Sequence, residues 1–105
     1  MAAEIVTLCG SRKYAGVFKT VARTLSKRGI IVLAPVFSVD IATTATIQGL
    51  RRTHFKKIDL ADAILVIDVH GYIGEQTKQE IKYARRQHKK ICYYSAMKAG
   101  GAGVD

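Results

Sequence analysis

The chain has 105 residues, 49% of them hydrophobic and 24% charged. That is the composition of an ordinary globular protein and the length of one domain; apolar runs of only a few residues exclude a membrane-spanning helix. Lys and Arg number 17 against 8 Asp and Glu, a formal charge of +9, which favours an anionic partner, either a phosphorylated small molecule or nucleic acid.

Glu4 leads straight into a strand, unlike a secretory leader, so a cytoplasmic location is expected. Residues 4–9 are β-branched and apolar, end at Gly10 and read as the first strand. Over 14–27, Phe18, Val21, Ala22 and Leu25 recur at helical spacing and make one apolar face. Ser11 suits its N-cap and Gly29 its C-terminal stop. Residues 30–34 form a second buried strand, closed by Pro35, the only proline. Residues 36–45 carry no pattern and read as an irregular loop. Residues 47–58 are apolar at 47, 50, 55 and 58 with basic residues between, a second helix. Residues 63–69 are apolar on both faces, as a central parallel strand must be. Residues 76–88 give a third helix with Thr77, Ile81 and Ala84 facing in, and 91–94 a fourth strand. The Gly- and Ala-rich end is expected to be loose, so the domain should span 1–95 and a flexible tail 96–105.

The order β-α-β-α-β-α-β gives a parallel sheet with helices on both faces. The expected fold is a single-domain, flavodoxin- or Rossmann-like three-layer α/β sandwich, with about four strands in the order 2-1-3-4. Its switch point lies between strands 1 and 3, where this architecture binds ligands. The loops leaving those strands, Gly10-Ser11-Arg12-Lys13 and His70-Gly71-Tyr72-Ile73-Gly74, should therefore converge.

In the first loop, free N–H groups, the Ser11 hydroxyl and two cations would face an anion. It lacks the spacing of a P-loop or a dinucleotide fingerprint. In the second, Gly71 and Gly74 permit close backbone approach, and Tyr72 can stack on a base or sugar. Glu75 reads as a helix-start residue that complements the dipole. Glu80, one turn further and beside the inward-facing Thr77, is the candidate nucleophile or hydroxyl acceptor; its bland alternative is a solvent-facing partner of Lys78 or Lys82. Asp68, at the strand end, is a candidate acid or sugar-hydroxyl ligand. His54 falls among Arg51, Arg52, Lys56 and Lys57 and reads as a surface residue; a proton-shuttling role requires that its helix reach the pocket. Cys9 and Cys92 show no CxxC spacing and read as small buried hydrophobes of a reducing compartment. His54, His70 and His88 show no metal-ligand spacing, so neither a metal nor a cofactor is expected.

Three segments resemble the nucleoside 2-deoxyribosyltransferase-like proteins, which include the 2'-deoxynucleoside 5'-phosphate N-hydrolases. Leu8-Cys9-Gly10-Ser11-Arg12 looks like their opening, residues 59–68 like their central strand, and Glu80-Ile81-Lys82-Tyr83-Ala84 like their Glu-x-Gly-x-Ala segment. The likeness covers roughly residues 5–94 and is strongest to a small branch with the run Gly-Tyr-Ile-Gly-Glu-x-Thr-x-x-Glu-Ile-x-Tyr-Ala. The resemblance implies that Glu80 attacks C1' of a deoxyribose. It also implies that Gly10, Ser11 and Arg12 hold the 5'-phosphate or the sugar, with Gly71, Tyr72, Gly74 and Thr77 lining the same site and Asp68 assisting. Lys82 stands where that segment has Gly, and Gln76 where many of the transferases have Gly.

The functional expectation is an N-glycosidic bond hydrolase or deoxyribosyltransferase acting on a nucleoside or nucleotide. A nucleotide-binding module without turnover is the alternative, motivated by Lys82 and Gln76. A basic nucleic-acid binder is the third reading, motivated by the charge; against it, the aromatics do not interleave with the basic clusters. A homodimer is expected, because a four-strand sheet leaves two open edges and a small core.

Overall fold

The computed structural model describes residues 3–37 and 43–98. Four parallel strands, β1 (Ile5–Gly10), β2 (Ile31–Leu33), β3 (Ala63–Ile67) and β4 (Lys90–Tyr93), form one sheet in the order β2-β1-β3-β4. This is the 2-1-3-4 arrangement expected from the sequence. Helix α1 (Ala15–Lys27) follows a 3-10 turn at Arg12–Tyr14, and α2 (Thr44–Leu60), α3 (Glu75–Arg86) and α4 (Tyr94–Lys98) complete the fold.

Strand alternation sorts the core into two layers. Val6, Leu8, Ala63, Leu65 and Ile67 face Phe18, Val21 and Leu25 of α1, with Tyr94 and Met97 of α4 packed beside them. Cys9, Ile64 and Val66 face the opposite side, against Ile58 of α2 and Ile81 and Ala84 of α3. β3 is buried at every position, as its unbroken apolar run requires. The parity of β1 therefore sends Cys9 toward α2 and α3, and this will matter for the site.

Two differences from the pattern reading have local causes. Helix α2 begins three residues before its first apolar position, because Thr43 caps it by accepting from the Thr46 N–H at 3.1 Å. Thr44 and Ala45 are thus helical, while residues 38–42 of the expected loop lie outside the described residues. Helix α4 follows β4 without a break and takes in Tyr94 of the expected fourth strand and residues 96–98 of the expected flexible tail; its five residues are too few to show a helical period. Residues 99–105 of the expected tail also lie outside the described residues. No helix among the described residues is long and apolar enough to cross a membrane.

The lower edge of the sheet is fastened by one exposed carboxylate. Asp62 Oδ2 accepts from the backbone N–H groups of Glu4 and Ile5, each at 2.9 Å. These bonds hold the Asp62 carboxyl below the usual carboxylate range, with Lys89 adding to the effect. A depressed folded-state value means stability that is present above the unfolded value, about 3.9, and is lost as pH falls through the folded one. Asp62→Asn should therefore lower the Tm at neutral pH. The gap from wild type should close as pH drops below the ordinary Asp range, which thermal melts across pH 2–7 would read.

Candidate functional site

A cavity of about 500 Å³ opens at the carboxyl ends of β1 and β3. Both loops of the switch point reach it: Gly10, Ser11 and Arg12 from the first, Tyr72 and Gly74 from the second. Gly10 is required by close approach. A Cβ there would sit 3.0 Å from both Cβ and the carbonyl oxygen of Ile67 and 3.2 Å from the Phe18 ring. Ser11 Oγ accepts from the Lys13 N–H at 3.4 Å and so caps the 3-10 turn that precedes α1. Lys13 Nζ lies 3.8 Å from the centre of the Tyr72 ring, which stitches the two loops together.

Glu80 lines the cavity and is itself buried, with 6% of its surface exposed. Thr77, Glu80, Ile81 and Ala84 are the buried residues of α3, so Glu80 sits within the inward stripe of that helix. Gln76 Nε2, one turn earlier, donates to Glu80 Oε2 at 3.2 Å. His54 Nε2 approaches Glu80 Oε1 at 3.5 Å. A carboxylate only accepts, so this contact is attractive when the His54 proton is on Nε2. The solvent-facing alternative for Glu80 does not hold; it is Glu75 that is exposed and pairs with Lys78, at 3.7 Å. Lys82 is exposed and outside the cavity, so the cation that replaces Gly in the resembled segment does not crowd Glu80.

His54 is the cavity residue that the sequence reading misplaced. It is not on the surface: it is 6% exposed, lines the cavity and touches Glu80. Its basic neighbours masked it, but the spacing held a signal. His54 lies four residues before the buried Ile58, on the same face of α2. Its Nε2 also lies 3.5 Å from Cys9 Sγ. Burial pushes the Cys9 thiol well up, and the adjacent Glu80 carboxylate pushes it further.

Asp68 and Gly71 are not brought to the cavity. The chain leaves β3 at Asp68 with φ −106° and ψ 63° and enters a 3-10 turn, Val69–Gly71. That turn directs the carboxylate away, toward α4. Asp68 Oδ1 accepts from the Ser95 N–H at 2.8 Å and Oδ2 from the Ser95 hydroxyl at 2.7 Å. Its role in this geometry is to anchor α4, whereas Gly10, Ser11, Arg12, Tyr72, Gly74, Thr77 and Glu80 do meet around one space.

The fold is that of the 2-deoxyribosyltransferases. The chain superposes on a 2-desoxiribosyltransferase from Leishmania mexicana with a TM-score of 0.67 at 18% identity, over 97% of this chain and 78% of that one. It superposes on a 2-deoxyribosyltransferase from the psychrotolerant bacterium Bacillus psychrosaccharolyticus with a TM-score of 0.61 at 17% identity, over 85% and 70% of the two chains. No protein-family model and no curated protein sequence matches the chain.

An anchoring role for Asp68 has a measurable signature. Asp68→Ala should cost about 1 kcal/mol, the net worth of hydrogen bonds whose exposed Ser95 partner can turn to water, and should speed hydrogen exchange at the Ser95 amide. Ligand affinity at the cavity should be unaffected, which calorimetry would check.

Proposed function

We propose that this chain cleaves the N-glycosidic bond of a nucleoside 5'-monophosphate, with Glu80 as the nucleophile. The observation that carries the reading is a buried carboxylate, held by Gln76 and His54, in a cavity that also receives the Gly10-Ser11-Arg12 turn. The likeness in fold to deoxyribosyltransferases supports it.

A Glu80 carboxylate oxygen attacks C1', the C1'–N bond breaks, and the base leaves with the bonding electrons and takes up a proton. A glycosyl ester on Glu80 remains. Water, or a second base, then attacks C1' and frees the carboxylate. This is the two-step retaining logic of glycoside cleavage. Gln76 and His54 fix the direction of the carboxylate before attack, which removes an orientational cost from the barrier.

The cavity lining is both apolar and cationic. Val36, Ile47 and Tyr72 line it although each is more than 40% exposed, a surface suited to the flat face of a base. Arg12, Arg51 and Lys57 line it as well. The Lys57 ammonium is already committed to the Ala34 carbonyl at 2.7 Å. Arg12 and Arg51 have no ion pair among the described residues and are the groups that would hold a phosphate.

The test is base release, by chromatography, from deoxy- and ribonucleosides and their 5'-monophosphates. Wild type should release base, and Glu80→Gln should lose that by roughly 10⁴-fold or more, as removal of a nucleophile does. No release by wild type, with nucleotide binding that survives Glu80→Gln, would replace this reading with a nucleotide-binding module. Arg12→Ala should weaken use of monophosphates by roughly tenfold or more, the worth of one charge-assisted hydrogen bond, and leave nucleosides little changed. Steady-state kcat/KM on both substrate types checks this.

A further inference from the structure

Cys9, His54 and Glu80 stand far apart in the sequence, on β1, α2 and α3, and no ligand spacing links them. Folding nonetheless brings Cys9 Sγ, His54 Nε2 and a Glu80 carboxylate oxygen within 4.8 Å of one another, with all three residues buried. We propose that these side chains form a binding site for one divalent transition-metal ion of the zinc class.

The donor set fits that class. Thiolate, imidazole and carboxylate are the ligands Zn²⁺ takes, whereas Mg²⁺ and Ca²⁺ prefer oxygen alone. The distances fit as well. With metal–sulfur near 2.3 Å and metal–nitrogen and metal–oxygen near 2.0–2.2 Å, the edges of a ligand tetrahedron are about 3.3–3.6 Å. Cys9 Sγ to His54 Nε2 is 3.5 Å, and His54 Nε2 to Glu80 Oε1 is 3.5 Å. Two edges of the tetrahedron thus already exist, and they share the histidine nitrogen.

The scaffold is suitable for the same reason the core is. Each ligand comes from a different element, and all three elements pack in one layer, with Cys9 beside Ile58 of α2 and Ile81 of α3. His54 Nδ1 is buried and has no hydrogen-bond partner among the described residues, so the ring proton can sit there without displacing a bond already made at that nitrogen. The ring can turn its Nε2 lone pair to an ion by carrying its proton on Nδ1. Binding displaces the thiol proton to solvent and forms the sulfur–metal bond, and a thiolate and a carboxylate balance the two positive charges. His54 and Glu80 line the cavity while Cys9 does not. A fourth coordination position therefore points into the cavity.

An ion on one Glu80 oxygen draws electron density from the carboxylate and weakens it as a nucleophile toward C1'. Metal-loaded protein is then slowed in glycosidic chemistry, a consequence that rests on the function proposed above, whereas the metal site itself does not. A cavity that is both would be inhibited by zinc.

The test needs no substrate. Metal-stripped, reduced protein is titrated with Co²⁺ and its absorption recorded. The expected result is a one-to-one complex with a thiolate-to-cobalt charge-transfer band and the visible bands of a four-coordinate ion, both abolished by Zn²⁺. Cys9→Ser should lose the charge-transfer band and Cys92→Ser should keep it. Glu80→Gln, nearly isosteric and able to keep the fold, should weaken Co²⁺ by roughly tenfold or more, since loss of even an outer-shell partner costs that much. Circular dichroism of each variant confirms folding. A wild type with no charge-transfer band overturns the site. So does a band that persists in Cys9→Ser, or a Co²⁺ affinity unchanged in Glu80→Gln.

Discussion

Five backbone pairings between β1 and β3, from Val6 with Ala63 to Gly10 with Ile67, set the geometry on which the cavity depends. They make the two strands neighbours, so the loops after Gly10 and after Ile67 leave the sheet side by side. The last pairing leaves no room for a side chain at Gly10. The same register fixes parity. With Val6 and Leu8 turned to α1, Thr7 and Cys9 must turn to α2 and α3. Thr7 uses its place to donate to the Lys57 carbonyl at 2.8 Å, which ties the end of α2 to the sheet. The position of His54, one turn earlier on α2, follows from that tie.

Glu80 adds the second constraint. Taking a carboxylate out of water costs several kcal/mol, and a hydrogen bond to a charged group returns about 1.5–3 kcal/mol. The contacts from Gln76 and His54 are therefore of the size needed to hold Glu80 in place. The two partners come from different helices, so the packing of α2 on α3 bears on how Glu80 is held. That packing is secured away from the cavity by the Phe55–Tyr83 ring contact, with centroids 4.7 Å apart, and by the Tyr83 hydroxyl donating to Asp59 at 2.6 Å. Donation to a carboxylate pushes the Tyr83 phenol up from its ordinary value. The site is thus braced from behind by aromatic contact and polar bonding on the same two helices.

How much of this the sequence discloses depends on the range of the interaction. The sheet order and the strand and helix types are legible because apolar periodicity and right-handed connections are local or nearly so. Glu80 is legible because it sits within an inward stripe that can be counted along α3. Asp68 is not, because the strand stops one residue before it and the turn re-aims its side chain toward Ser95, a partner 27 residues on. His54 is not, because its partners, Cys9 and Glu80, are 45 and 26 residues away. Charge density around a residue says little about its own burial when the helix is amphipathic: Arg51, Arg52 and Lys56 are exposed, and His54 between them is not.

The net charge divides the same way. Arg85 and Arg86 occupy the last turn of α3, where cations complement the helix dipole. Arg86 lies about 9 Å beyond Glu80 along the helix axis. That is a full Debye length at physiological salt, about 8 Å, so these charges act on the cavity only weakly. The cations that can act there directly are those lining it, Arg12, Arg51 and Lys57, and the last of these is already bonded to Ala34. A chain at +9 therefore lines its cavity with two guanidiniums that have no ion pair among the described residues, together with the carboxylates of Glu75 and Glu80. In the proposed function the guanidiniums would hold the anionic end of a ligand that the carboxylates alone would repel. This is the balance needed to bring a phosphorylated sugar within reach of an anionic nucleophile, and a uniformly basic surface would not supply it.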